Sequence, residues 1–280
     1  LANTKNSYLA LSGCFCVYLR PQKRNFYIIL KGKLMLLALD LGNTVLKAGL
    51  ISKEGRFIRE MRFSHSESVS FSKVLKKTKW PDNVTEVKMA SVVPGLTGKV
   101  VRVLEGCVGL PVKVLVKDDL PIKVQVGRPE EVGIDRLLNT LAAGRLYGKP
   151  AVVIDCGTAL TFDLVTKAGN YAGGIIAPSP EISRDYLTEK TALLPRVELT
   201  SPESIVGKNT DECLRAGLVF GFADLISGLL MRLKKEWQPE FKVVGTGGGL
   251  VVLLPYLSEK IIFDPNLTLK GIYLTTVNGK

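Results

Sequence analysis

Histidine is nearly absent from this 280-residue chain, and His65 is the only one. A Ser-His-Asp triad would have to rest on that residue, and no multi-histidine metal site can be built. His65 lies in a polar stretch and reads as a surface residue. The five cysteines (Cys14, Cys16, Cys107, Cys156 and Cys213) form no C-x-x-C pair and no secreted framework, which suits a reducing compartment. No apolar run reads as a clean membrane span. The nearest, Tyr8–Leu19, follows Lys5 like a short signal sequence but lacks a small-residue cleavage site. The two commonest nucleotide signatures are missing as well. There is no Gly-x-x-x-x-Gly-Lys-Ser/Thr, and no Gly-x-Gly-x-x-Gly that leaves a strand to open a helix, so neither a P-loop nor a Rossmann site is expected.

Acid is lacking in one place only. Residues 1–34 carry Lys5, Arg20, Lys23, Arg24, Lys31 and Lys33 without a single Asp or Glu, and so supply half of the net charge of +12. The remaining charge is dispersed, as on an ordinary solvated surface. A basic balance admits a nucleic-acid partner, but no helix-turn-helix or basic helix is evident, so none is expected. The apolar share of 46% and charged share of 23% describe a folded chain long enough for two cores. The body starts at Met35. Residues 1–34 read as an extension outside the fold, followed by domains at 35–149 and 150–280.

From Met35 onward strands and helices alternate. Strands are expected at 36–41, 47–51, 56–63, 87–91 and 112–116, with helices at 69–79 and 97–107. A helix over Glu131–Tyr147 carries Leu137, Leu138, Leu141, Ala142 and Leu146 on one side and stops at Gly148-Lys149-Pro150. Strands at 151–155, 160–165 and 171–176, helices at 182–191 and 210–236, and a strand at 241–244 follow. A helix, a short strand at 261–263 and a last helix at 267–277 close the chain. One local design occurs twice: Leu37-Ala-Leu-Asp-Leu-Gly-Asn-Thr and Val152-Val-Ile-Asp-Cys-Gly-Thr both run from an apolar strand through Asp and Gly to Thr. Each is followed by more strands instead of a helix. The repeat predicts two similar α/β domains, each opening with a β-hairpin whose turn faces a shared cleft.

Such turns can cradle phosphate. Glycine at the tip lets the backbone approach an anion and aim N–H groups at it. Thr44 and Thr158 add hydroxyl donors, and Lys47 a positive charge. Asp40 and Asp155 would repel phosphate directly, but make sense if they hold a cation or its water. A lone Asp-x-Gly-Asn-Thr is an ordinary turn composition; a second copy in a matching strand context favours function. Gly245-Thr-Gly-Gly-Gly249 joins a strand to a helix and reads either as backbone for a nucleotide's base and ribose or as a plain connection. Asp135 near a helix start either satisfies free N–H groups or acts as a general base, with Arg136 gripping an anionic substrate group.

In order along the chain, Asp40-Leu-Gly-Asn-Thr-Val-Leu-Lys47, Ala90-Ser-Val-Val-Pro94, Gly133-Ile-Asp-Arg136, Asp155-Cys-Gly-Thr-Ala-Leu-Thr161, Gly173-Gly-Ile-Ile-Ala-Pro178, Gly207-Lys-Asn-Thr210 and Thr246-Gly-Gly248 resemble the type III pantothenate kinases. The resemblance spans Met35 to the C-terminus. It implies two ribonuclease-H-like domains of the actin/Hsp70/sugar-kinase kind with a nucleotide cleft between them, and ATP-dependent phosphorylation of pantothenate, the first step toward coenzyme A. It also implies that Asp40, Leu41, Gly42, Asn43, Thr44, Val45, Leu46 and Lys47 bind ATP with Thr158, Gly247 and Gly248. Gly133, Ile134, Asp135, Arg136 and Thr210 would contact pantothenate, with Asp135 as proton acceptor. Asp155 would hold a monovalent cation, potassium or ammonium, beside the Mg²⁺ of ATP. A cytoplasmic homodimer, without membrane or nucleic acid, completes the expectation. Ser179 and Val126 depart from the family pattern and bear on the shape of the pantothenate pocket. The alternative is a regulatory or DNA-associated protein on the same ATPase fold.

Overall fold

The computed structural model describes residues 35–64 and 68–276. The extension at 1–34 and His65 lie outside them.

Two five-stranded sheets carry the molecule. The first holds β1 (Met35–Leu41), β2 (Val45–Ser52), β3 (Phe57–Ser64), β4 (Val84–Ser91) and β5 (Val112–Val114), in the order β3-β2-β1-β4-β5. The second holds β6 (Ala151–Cys156), β7 (Ala159–Val165), β8 (Tyr171–Pro178), β9 (Lys242–Thr246) and β10 (Ile262–Phe263), in the order β10-β9-β6-β7-β8. The two orders are one pattern used twice. In each, three antiparallel strands form a meander and two parallel strands extend the other edge. This is the ribonuclease-H-like arrangement, and the repeat read from two short motifs extends to the whole of both sheets.

The helices explain the burial. α1 (Ser68–Lys77) and α2 (Pro94–Val108) cover the outer face of the first sheet, where Leu37, Leu39 and Leu41 meet Leu75, Val100 and Leu104. α4 (Pro180–Lys190) and α5 (Thr210–Glu236) belong to the second half, and Val219, Ile226 and Leu230 of α5 pack on Val152 and Ile154. α3 (Ile134–Leu146) and α6 (Leu267–Leu274) lie between the sheets. Leu137, Leu138, Leu269 and Ile272 pack with Leu36 and Ala38, while Ala142, Ala143 and Leu267 pack with Ala151, Val153 and Val244. A helix with core on two sides cannot be amphipathic, and nine of the thirteen residues of α3 are buried. Gly271 allows the close approach: a Cβ there would meet the Leu138 carbonyl.

Three expectations change. The helix drawn from Glu131 starts at Ile134, because Pro129–Glu131 forms a separate 3-10 turn and Gly133 is extended, with ψ of 142°. The helix expected after Gly249 is two 3-10 turns, Gly248–Leu250 and Leu254–Tyr256, since Pro255 cannot donate to a continuing helix. Finally, α5 is long and apolar enough to cross a membrane by length and composition, at 27 residues, where no such stretch was expected. One side of it belongs to the core of the second sheet.

Candidate active site

Both hairpin turns are tight. The Gly42 N–H donates to the Val45 carbonyl at 3.1 Å and the Gly157 N–H to the Ala159 carbonyl at 3.0 Å. The two tips meet: Thr44 Oγ1 and Thr158 Oγ1 are 3.2 Å apart, across 114 residues of chain. Asp40 stands directly opposite Lys47 across the first hairpin. The side chains of Leu41 and Leu46 are fully buried in the core beneath, so only their backbones can face a ligand.

Asp135 and Asp155 both act on Asp40, Asp135 also acts on Asp155, and Lys47 opposes the effect at Asp40 and Asp155. Burial pushes the Asp40 carboxyl up to about 7; Lys47 opposes this, while Asp135 and Asp155 add to it. Burial likewise raises Asp155, again against Lys47 and with Asp135. Burial raises Asp135, and its own contacts with Arg136 pull it back. Carboxyls that act on one another in a poorly hydrated place hold their protons tightly and would ionise more readily beside an added cation. Among the described residues no three acidic, His or Cys side chains converge tightly enough to hold a metal unaided.

Asp135 sits in the first turn of α3, where its Oδ1 accepts from the Arg136 N–H at 2.8 Å. A Cβ on Gly133 would collide with that oxygen. Ile134 is a core residue packed with Val132 and Leu137. The Arg136 guanidinium turns toward the second sheet, where its Nε donates to Asp163 Oδ1 at 2.7 Å, and its carbon lies 5.6 Å from the Tyr171 ring centre. Asp163 is fully buried, and burial pushes its carboxyl to about 7 against the pull of Arg136.

Gly247 has a φ of +86°, and a Cβ there would collide with the Cys156 backbone and lie 2.7 Å from Asp155 Oδ1. Only glycine fits. Gly248 beside it is exposed, with open space where a Cβ would go. Thr210, the first residue of α5, is exposed, and no hydrogen bond among the described residues ties it to the aspartates. Ser179 caps α4, accepting from the Ile182 N–H at 3.2 Å.

Sequence reasoning missed Asn139, Thr268 and Asp163. Asn139 lies one turn after Asp135 and is 1% exposed; its Nδ2 donates to Asp155 Oδ2 at 3.1 Å, and its Oδ1 accepts from Thr268 Oγ1 at 2.9 Å. One helix thus presents Asp135 and, through Asn139, fixes Asp155. The available signal was an amide in an otherwise apolar helix. For Asp163 it was an acid inside a buried strand.

Comparison with known proteins identifies the family. The type III pantothenate kinase family model matches residues 36–232. A type III pantothenate kinase of Thermus thermophilus is 39% identical over 248 aligned positions, covering 85% of this chain and 97% of that protein. One of Persephonella marina is 36% identical over 251, covering 85% and 97%. Among solved structures, a conserved Campylobacter jejuni protein described as a Baf family transcriptional activator superposes with a TM-score of 0.54 at 18% identity, over 85% of this chain and 96% of that one. The ethanolamine utilization protein EutJ of Carboxydothermus hydrogenoformans gives 0.52 at 13%, over 85% and 89%. These two show the fold alone. The matched span, the two relatives and the paired hairpins agree: the chain belongs to the type III pantothenate kinase family.

Proposed function

We propose that this protein transfers the γ-phosphoryl group of ATP to the primary hydroxyl of pantothenate, giving 4'-phosphopantothenate, the first step of coenzyme A synthesis. The observation that carries the reading is the meeting of the two hairpin tips at Thr44 and Thr158 beside Asp40, Asp135, Asp155 and Lys47. The backbone of Asp40–Lys47, with Thr158, Gly247 and Gly248, holds the phosphates, and Lys47 offsets their charge. A monovalent cation at Asp155, potassium or ammonium, and the Mg²⁺ that accompanies ATP supply the remaining positive charge. The raised carboxyls of Asp40 and Asp155 fit residues built to face cations.

Asp135 takes the hydroxyl proton as the pantothenate oxygen forms its bond to the γ-phosphorus and the bond to the β-bridging oxygen breaks, releasing ADP. A carboxylate is a weak base for an alcohol, but burial raises Asp135. Phosphoryl transfer with a loose transition state depends mainly on positioning and electrostatics. Gly133, Ile134 and Arg136 shape the acceptor side, with Ile134 contributing packing and backbone. Arg136, held by Asp163, keeps its terminal nitrogens for an anionic group of the substrate.

A cytoplasmic homodimer completes the reading. Ile176, Ile182, Tyr186, Leu193, Ile205 and Val206 are exposed on β8, α4 and the segment leading to α5, an apolar surface suited to a second copy. Such a copy would supply Thr210 to the partner's pantothenate site. The test is mass-spectrometric analysis of a reaction of the full chain with ATP, Mg²⁺, potassium and pantothenate. Phosphopantothenate formed in proportion to ADP supports the reading; unchanged pantothenate refutes it.

A further inference from the structure

The acid of the second residue of α4 is left over by this mechanism. Glu181 is half-buried, and its Oε2 is buried without a hydrogen-bond partner. Among the described residues no cation pairs with it. Its helix does not need it as a cap, because Ser179 already fills that role. An unpaired carboxylate oxygen at a poorly hydrated position is costly, and it persists where a ligand satisfies it.

Its surroundings identify the ligand. A Cβ on Gly249 would lie 2.8 Å from both Glu181 oxygens and 2.9 Å from Cys156 Sγ, so glycine at 249 makes room for the carboxylate. The Glu181 charge is also felt at the Cys156 thiol, which burial pushes upward first and Glu181 second. The ends of three strands gather here. Thr246 ends β9 opposite Asp155, and Pro178 ends β8 opposite Ala159, at the tip of the second hairpin. From the phosphate-facing tip, the path past Gly247 and the open, exposed Gly248 leads to Glu181. The group next to the phosphates of a nucleotide is its ribose. A ribose offers two adjacent O–H donors, matching the two acceptor oxygens of one carboxylate.

We infer that Glu181 is the ribose-recognition residue, accepting hydrogen bonds from the 2'- and 3'-hydroxyls of the nucleotide that lies along Gly247–Gly249. The inference rests on the proposed ATP site and adds to it a preference for ribonucleotides over deoxynucleotides. It sets nucleotide choice and takes no part in bond making.

The test compares ATP, 2'-deoxy-ATP and 3'-deoxy-ATP as phosphate donors for the full chain and for Glu181→Gln and Glu181→Ala. The unmodified protein is expected to favour ATP over at least one deoxy analogue by about tenfold or more in kcat/KM. Glu181→Ala should lower kcat/KM for ATP, which loses two hydrogen bonds, more than for either deoxy analogue, which loses one, and so shrink the discrimination between them. Equal use of all three by the unmodified protein overturns the inference, and this needs no variant to fold. Undiminished discrimination in both variants also overturns it. If pantothenate is not phosphorylated at all, the same comparison is made by equilibrium binding of the three nucleotides. Failure of the kinase reading is thereby kept apart from failure of this one.

Discussion

The two hairpins share a backbone design and an acid, and differ in what compensates that acid. In the first, Asp40 faces Lys47 in register across the strands. In the second, the turn is one residue shorter, Asp155 faces Thr161, and its direct hydrogen bond comes from the neutral Asn139 amide of α3, with Lys47 acting on it only through space. A lysine cancels charge, whereas an amide fixes geometry and leaves the charge in place. Under the proposed function, the first hairpin suits phosphate and the second a cation that bridges to phosphate. The frame is the same in both halves, and single residues at matched positions set the two hairpins apart.

The largest effect that would sharpen this division comes from the residue between the hairpins. Asp135→Asn should lower turnover by roughly 10²–10⁴-fold with ATP affinity nearly intact, read by steady-state kinetics and nucleotide titration. Near-normal turnover would remove the proton-acceptor role. Asp155→Asn should abolish the advantage of potassium over sodium and leave one low rate in both; a retained potassium response would place the cation elsewhere. Asn139→Ala leaves Asp155 Oδ2 without its amide and the Thr268 hydroxyl without its acceptor. About 1–3 kcal/mol of stability should be lost in denaturant unfolding, and a loss near zero would mean the bridge is not structural.

A further effect is one of pH. Folding raises the Asp40 carboxyl from 3.8 to about 7, so the folded state holds this proton more tightly than the unfolded chain. The stabilisation is complete below about pH 4 and is lost as pH rises through about 7. Asp40→Asn, neutral throughout, should therefore gain in melting temperature relative to the unmodified protein as pH rises over that window, with a constant difference above it. Asp163, also pushed to about 7, acts in the same direction and is unaffected by the substitution. Parallel melting profiles would contradict a raised Asp40.

What could be read from the sequence follows from range. The apolar strand ending in Asp-x-Gly is a local pattern, and its recurrence placed both hairpins and announced the repeated sheet. Start signals were equally local, and Thr210–Glu236 was placed to the residue. The Pro129–Gly133 stretch misled, because two acids ahead of an apolar helix look like a first turn until Gly133 extends the chain. That Asn139 pairs with Asp155 and Asp163 with Arg136 had no signature in the sequence. Asn139 reaches Asp155 across 16 residues and Arg136 reaches Asp163 across 27, and those separations carry no period. Only the packing of α3 between two sheets creates these contacts. Arg136 shows the consequence: the sequence reading assigned it a substrate anion, and the fold adds a buried acid that orients it.

The most direct measurement is ADP release by the full chain with and without pantothenate, in potassium and again in sodium. The account predicts fast release only when pantothenate and potassium are both present. Release that ignores pantothenate, or that runs equally fast in sodium, would contradict it.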